Sequence, residues 1–437
     1  MNGRISIAPQ THATHGAGVM HLPSGRSASW LAGRMLPAGA DRAAWLILAS
    51  RGMRGFCDGF IAVLLPAYLL SLGLSKLDVG LIGTTTLLGS AIATIIVGML
   101  ASRFTQRRML TFAAALMAAT GIGFASFSTL WPLFVIAFAG TLNPSSGDVS
   151  LFLPLEQSRL AQAADGDART TLFARYSLVG AVSAAVGSLT AGLPIWIASH
   201  AGIPALGAMR GMFLVYAVTG VAVFVLYRRL PHSDIHASKA APPLGPSRPI
   251  VMRLAMLFSV DAFAGGLVVN SLLSLWLMQR FGLSIAAAGQ FFFWAGLLSA
   301  GSQLAAAPLS RRIGLLNTMV FTHIPSSVCL IGAALAPSLP LTLTLLLMRS
   351  ALSQMDVPTR TAYVMAVVTP AERPAAASLT SVPRSLAAAV APTLAGGLFS
   401  LGWLGAPLVA CGALKIAYDL SLLTAFRHVK PNDDRAR

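Results

Sequence analysis

Residues 73–90 read GLSKLDVGLIGTTTLLGS and residues 282–299 read GLSIAAAGQFFFWAGLLS. At an offset of 209, Gly73-Leu74-Ser75 recurs as Gly282-Leu283-Ser284, Gly80 as Gly289, Leu88 as Leu297 and Ser90 as Ser299. The same offset pairs Arg103 with Arg312 and Arg175 with Arg384, while Asp148 and Asp356 are 208 apart and Asp58 and Asp261 are 203 apart. Charged residues are too scarce here for chance to align several of them, so the chain is an internal repeat.

What repeats is a set of membrane spans. Of 437 residues 55% are hydrophobic and only 10% charged, with mean hydropathy +0.73, whereas soluble domains carry about 25% charged residues. At roughly 20 apolar residues per span the length admits about a dozen helices. A hydropathy window places the first six at 43–72, 78–101, 108–128, 130–154, 172–198 and 206–227. The second six fall at 251–279, 285–307, 315–336, 339–368, 375–400 and 403–426. The expected fold is an all-α membrane protein of twelve transmembrane helices in two six-helix repeats. Residues 1–42 form an N-terminal tail, 43–227 and 251–426 the two bundles, 228–250 a Pro-rich linker and 427–437 a C-terminal tail.

The net charge of +17 and pI near 11.2 would suit a nucleic-acid partner, but the distribution of Lys and Arg speaks for topology. With residues toward a span's end counted with that side, 23 of the 31 fall on the side holding both termini, three on the other (Lys76, Arg210, Arg280), and five are embedded (Arg51, Arg54, Arg349, Arg384, Lys415). The positive-inside rule makes the termini cytoplasmic, so the chain is expected in a cytoplasmic membrane, with the bilayer rather than nucleic acid around it. Trp131, Trp196, Trp276 and Trp403 fall near the predicted outer ends and are expected to be interfacial anchors. The tail, with His12, His15 and His21, lacks the apolar core of a signal peptide and reads as solvated, and translation is expected to begin at Met20 or Met35. Cys57, Cys329 and Cys411 are far apart, with no metal or redox spacing.

With a repeat, a linker and short loops in place, the chain resembles the major facilitator superfamily over about residues 43–426. The family's loop signature, Gly-x-x-x-Asp-Arg-x-Gly-Arg-Arg, is met by Gly98, Arg103, Arg107 and Arg108, with Ser102 at the acidic position and Thr105 at the second glycine. The second copy keeps Arg312 and Gly314, with Arg311 at the acidic position. Residues 391–397, APTLAGG, resemble the Gly-Pro-rich motif of the family's antiporters, although that motif belongs on the fifth span. The resemblance implies secondary transport by alternating access, with the site between the halves near the midplane, spans one, four, seven and ten lining the cavity, and charge networks closing the cytoplasmic gate.

The embedded charges supply the candidate site. Asp58, Asp148, Asp261, Asp356 and Asp419 and five bases lie within spans, each costing about 2.5 to 3.5 kcal/mol at a helix centre, so they must pair, neutralise or face water. Arg51, Arg54 and Asp58 share one helical face, as do Arg349, Ser353, Asp356 and Arg360. Thr141, Ser145 and Asp148 flank a break at 143–147 (NPSSG) that frees backbone groups at membrane depth. The expected cavity residues are Arg54, Asp58, Asn143, Asp148, Asp261, Arg349 and Asp356. The expected cytoplasmic gate is Arg103, Arg107, Arg175, Arg312 and Arg384, with Asp148–Arg175 and Asp356–Arg384 readable equally as structural locks.

Three pairing expectations follow from spacing. Arg54 should hold Asp58 charged, and Lys415 and Asp419 should form an intrahelical pair. Asp261 has no base within one turn of its own helix, which makes it the expected carrier of the coupling proton. His323 is expected as a core residue, and residues 291–294 (FFFW) as packing and lipid-facing surface.

Rival classes lack their chemistry. None of the four lysines follows a glycine, as a P-loop requires, and neither glutamate follows a histidine, as the zinc-protease pattern requires. No enzyme activity, metal or cofactor is expected. The expected function is proton-coupled efflux of a small organic molecule by a monomer. The alternatives are proton-coupled uptake of a small anionic solute held by Arg54, Arg349 or Arg384, and, third, a passive channel.

Overall fold

A computed structural model describes residues 42–100, 103–145, 150–163, 166–231, 244–369 and 372–429. The first half runs α1 (Arg42–Ser71), α2 (Lys76–Leu100), α3 (Gln106–Ser126), α4 (Leu130–Ala139), α5 (Phe152–Ala163), α6 (Gly166–Leu189), a 3-10 turn (Thr190–Gly192), α7 (Leu193–Ala201) and α8 (Ala205–Arg228). The second half runs α9 (Arg248–Gly266), α10 (Asn270–Phe281), α11 (Ile285–Ile313), α12 (Leu315–Leu335), α13 (Leu339–Ser353), α14 (Asp356–Val367), α15 (Arg373–Ser400) and α16 (Ala406–Phe426). Helices dominate because the hydrocarbon offers no water to backbone amides, which an α-helix satisfies internally.

Among the described residues ten segments are long and apolar enough to cross a membrane. The fourth and tenth spans complete the twelve, each broken midway, into α4 with α5 and α13 with α14. At the fourth-span break, side chains replace helical bonds. Asn143 Oδ1 accepts from the Ser145 amide and hydroxyl, and Tyr216 donates to the Thr141 carbonyl at 3.0 Å. The Pro144 carbonyl accepts from the Ser271 amide at 3.1 Å, so this break meets the start of α10 in the other half.

The repeated Gly-Leu-Ser is a helix stop joined to a helix start. Gly73 and Gly282 both take left-handed backbone, with φ of 83° and 64°, a conformation nearly free for glycine alone. Ser284 Oγ then accepts from the Ala287 amide, and Ser75 Oγ from the Asp78 amide while Asp78 returns a bond to Ser75, a reciprocal capping box.

Within each half, α1 packs on α6, α3 on α8, α9 on α15 and α12 on α16. The halves meet through α2 with α15, α6 with α11 and α1 with α10. Named contacts between halves, such as Thr393 Oγ1 to Thr84 Oγ1 at 2.8 Å and Ser274 Oγ to the Val63 carbonyl, lie away from the end that carries the linker. Trp131, Trp196 and Trp403 are exposed, whereas Trp276, expected as an anchor, is fully buried on α10, which packs against α1.

Candidate functional site

A cavity of about 220 Å³ opens in the second half, reached from the first by Leu87 and Ser145. Its volume equals roughly seven waters, room for a small solute. The break before Asp356, the loop after Gly266 and the middle of α15 and α16 bring its charges together. Among the described residues the lining carries four bases, Arg349, Arg360, Arg384 and Lys415, and two carboxylates, Asp261 and Asp356.

The charges form a network rather than helix-local pairs. Lys415 Nζ donates to Asp261 Oδ1 at 2.6 Å and lies 3.2 Å from His323 Nε2. Arg360 ion-pairs with Asp356 and reaches Asp261 Oδ2 at 3.3 Å, its guanidinium 5.4 Å from the Phe258 ring centre. His323 Nδ1 sits 3.0 Å from Asp419 Oδ2, and Asp419 is wholly buried. Arg349 lines the cavity with no ion-pair partner among the described residues. Ser327, 1% exposed and on the same wall, has a hydroxyl with no hydrogen-bond partner among the described residues.

Three spacing-based expectations are corrected. Asp261 is not free of cations, because Lys415 reaches it from α16 and Arg360 from α14. Lys415 and Asp419 do not pair along their helix, since each finds a partner on another helix. Arg54 bonds Glu156 rather than serving as the dedicated partner of Asp58. Asp58 is hydrogen-bonded by Asn143 and feels the charges of Arg51 and Arg54.

Glu156 escaped sequence reasoning altogether. It is fully buried on α5, where Arg54, the Tyr176 hydroxyl at 2.6 Å and the Tyr227 hydroxyl at 2.5 Å all donate to it, and Phe152 lies under the Arg54 guanidinium. A glutamate inside an apolar run, LFLPLEQ at 151–157, was the signal available.

Of the other expected site residues, Asp261, Arg349 and Asp356 line the cavity, while Arg54, Asp58 and Asn143 cluster in the first half. Asp148 and Ser102 lie outside the described residues, as do the tail histidines and most of the linker. Among the gate candidates, Arg103 and Arg312 are exposed at helix ends, Arg107 edges a shallow cleft with Arg159, and Arg175 is half-buried on α6. Arg384 lines the cavity near Asp356, whose bonded partner is Arg360. Phe291 and Phe292 pack in the core, and Trp294 is exposed.

The APTLAGG run has a packing role. A Cβ on Gly80 would collide with the Pro392 carbonyl, and one on Gly396 would lie 2.7 Å from the Lys76 carbonyl. Small residues there let α2 and α15 touch across the halves.

The sequence matches the Major Facilitator Superfamily over residues 47–353 and 254–436. An uncharacterized membrane protein of Saccharomyces cerevisiae is 25% identical over 423 residues, 89% of this chain and 94% of that protein. Among solved structures, a point mutant of the nucleoside transporter NupG superposes with a TM-score of 0.70 at 13% identity, over 88% of this chain and all of that one. A D-xylose–proton symporter superposes with a TM-score of 0.69 at 14% identity, over 89% and 97%. Repeat, fold and family match agree, and the chain belongs to the Major Facilitator Superfamily of membrane transporters.

Proposed function

We propose that this protein is a secondary transporter that takes up a small anion, a carboxylate or phosphate, together with protons, by alternating access across a cytoplasmic membrane with both termini inside. The observation that carries this reading is the cationic excess of the cavity, above all Arg349 without an acidic partner among the described residues. A carboxylate or phosphate would find there a guanidinium able to bond it through two nitrogens. Contacts concentrated at the end away from the linker fit a state open toward the cytoplasm.

Cotransport follows from how the charges share partners. An anion that draws Lys415 toward itself leaves the buried Asp261, His323 and Asp419 group short of one cation, and a proton restores the balance. Anion and proton then favour each other's binding, the thermodynamic condition for symport. Efflux by antiport needs solute and proton to exclude one another, and the run that suggested it is accounted for by packing between α2 and α15.

Purified protein in liposomes tests the reading. With an alkaline interior, labelled lactate, succinate or inorganic phosphate should accumulate, collapse on adding a protonophore, and show counterflow, which a channel does not support. Arg349→Gln should weaken apparent affinity roughly tenfold or more. Accumulation confined to neutral or cationic solutes overturns the anion reading.

A further inference from the structure

His323 is the one imidazole among the described residues that touches the cavity charges. Its two ring nitrogens face different partners. An ammonium can only donate, so Nε2, 3.2 Å from Lys415 Nζ, must accept, which leaves the ring proton on Nδ1 to be donated to Asp419. The hydrogen-bond geometry thus assigns the Nδ1–H tautomer to this state. Asp419 is fully buried and has His323 as its bonded partner. Asp261 Oδ1 holds Lys415 at 2.6 Å and lies 3.8 Å from Nε2.

We propose that His323 is the coupling-proton site and that a proton on Nε2 displaces Lys415 from the network, handing its ammonium to the cavity as a ligand for the anionic solute. The proton comes from water on the open side and forms one N–H bond. Nε2 then becomes a donor, so the Lys415 contact turns repulsive, while the imidazolium lies between Asp419 and Asp261. The charged neighbours from every packed element are consistent with this exchange: Asp261 from α9, Arg349 from α13, Asp356 and Arg360 from α14, Arg384 from α15, and Lys415 and Asp419 with Tyr418 from α16. Arg360 already occupies Asp356 and the far oxygen of Asp261, which leaves the near oxygen for either Lys415 or the imidazolium. Release of the proton to the other side lets Lys415 return and expels the anion.

The last step rests on the anion-transport reading, but the switch itself can be tested without a solute. Nitrogen NMR of histidine-labelled protein in nanodiscs, with the His323 signal assigned by its loss in His323→Gln or His323→Asn, should show the Nδ1–H tautomer. In Lys415→Gln the imidazolium-to-neutral ratio, compared with the wild type at one pH, should rise severalfold, because a cation beside Nε2 is gone. An Nε2–H tautomer in the wild-type protein, or a ratio unchanged in Lys415→Gln, overturns the switch. If the tautomer and ratio come out as expected while lactate, succinate and phosphate are all ignored, the anion reading fails and the switch stands. If an anion is transported and His323→Gln still accumulates it in response to the pH gradient, the proton is carried elsewhere and the switch fails.

Discussion

Lys415 Nζ lies 2.6 Å from Asp261 Oδ1, tying the middle of α16 to the middle of α9. Both side chains are largely buried, and removing one member of such a pair strands the other's charge in low dielectric at a cost of about 3 to 5 kcal/mol. Arg360 also touches Asp261, so Lys415→Gln should fall near about 3 kcal/mol. Lys415→Gln with Asp261→Asn should recover most of that loss. Thermal unfolding in detergent checks it, and a double variant as unstable as the sum of the singles refutes the pairing.

The first-half cluster predicts a different pattern. Arg54 and Glu156 act as a unit with Tyr176 and Tyr227, so Arg54→Ala and Glu156→Gln should be far from additive, whereas Arg54→Ala and Asp58→Asn should couple more weakly, through charge alone. Tyr227→Phe removes one donor from a fully buried carboxylate and should cost about 1 to 3 kcal/mol. A double-mutant cycle of unfolding midpoints separates the two couplings.

Much of this fold was legible because it is local. Gly73 and Gly282 announce helix ends and Ser75 and Ser284 helix starts, and a stretch near 20 apolar residues has little choice but to span. The pairing of charges was not legible, because partners are chosen by which helices touch. Asp261 and Lys415 are 154 residues apart and meet through packing of α9 on α16. Spacing along one helix suggested Lys415 with Asp419 and Arg54 with Asp58, yet in both cases a carboxylate or imidazole on a neighbouring helix has better geometry. His323 looked like a core residue in the sequence, and it is buried, but burial beside Asp419 and Lys415 is what gives it a role.

Close glycine contacts divide into those inside a half and those between halves. A Cβ on Gly59 would run into the Ala184 carbonyl, within the first half. Gly59→Val should therefore abolish folded protein in any conformation. Gly80 faces Pro392 in the other half, across an interface that alternating access must part. Gly80→Val should leave a folded protein biased toward the opposite opening, read out as faster labelling of a cysteine placed at Thr84 by a membrane-impermeant maleimide from the end away from the linker. Unchanged labelling would mean that this interface does not gate.

Outside the spans, Glu372 fastens the loop between α14 and α15 to the end of the linker. Ser247 Oγ and Thr369 Oγ1 each donate to its carboxylate at 2.6 Å, and the Gly245 amide donates as well. These hydroxyls, followed by the backbone amides, hold the carboxyl down to about 2, against about 4.3 for an unperturbed glutamate. A carboxyl depressed on folding stabilises fully above its unfolded value and loses that stabilisation as pH falls through the interval toward the folded one. The gap in unfolding midpoint between wild type and Glu372→Gln should thus be constant from pH 8 to about 5.5, and by pH 3 roughly half of it should be gone. A gap that persists undiminished at pH 3 would mean that it does not come from the ionised carboxylate, and that the charge contributes nothing to the latch.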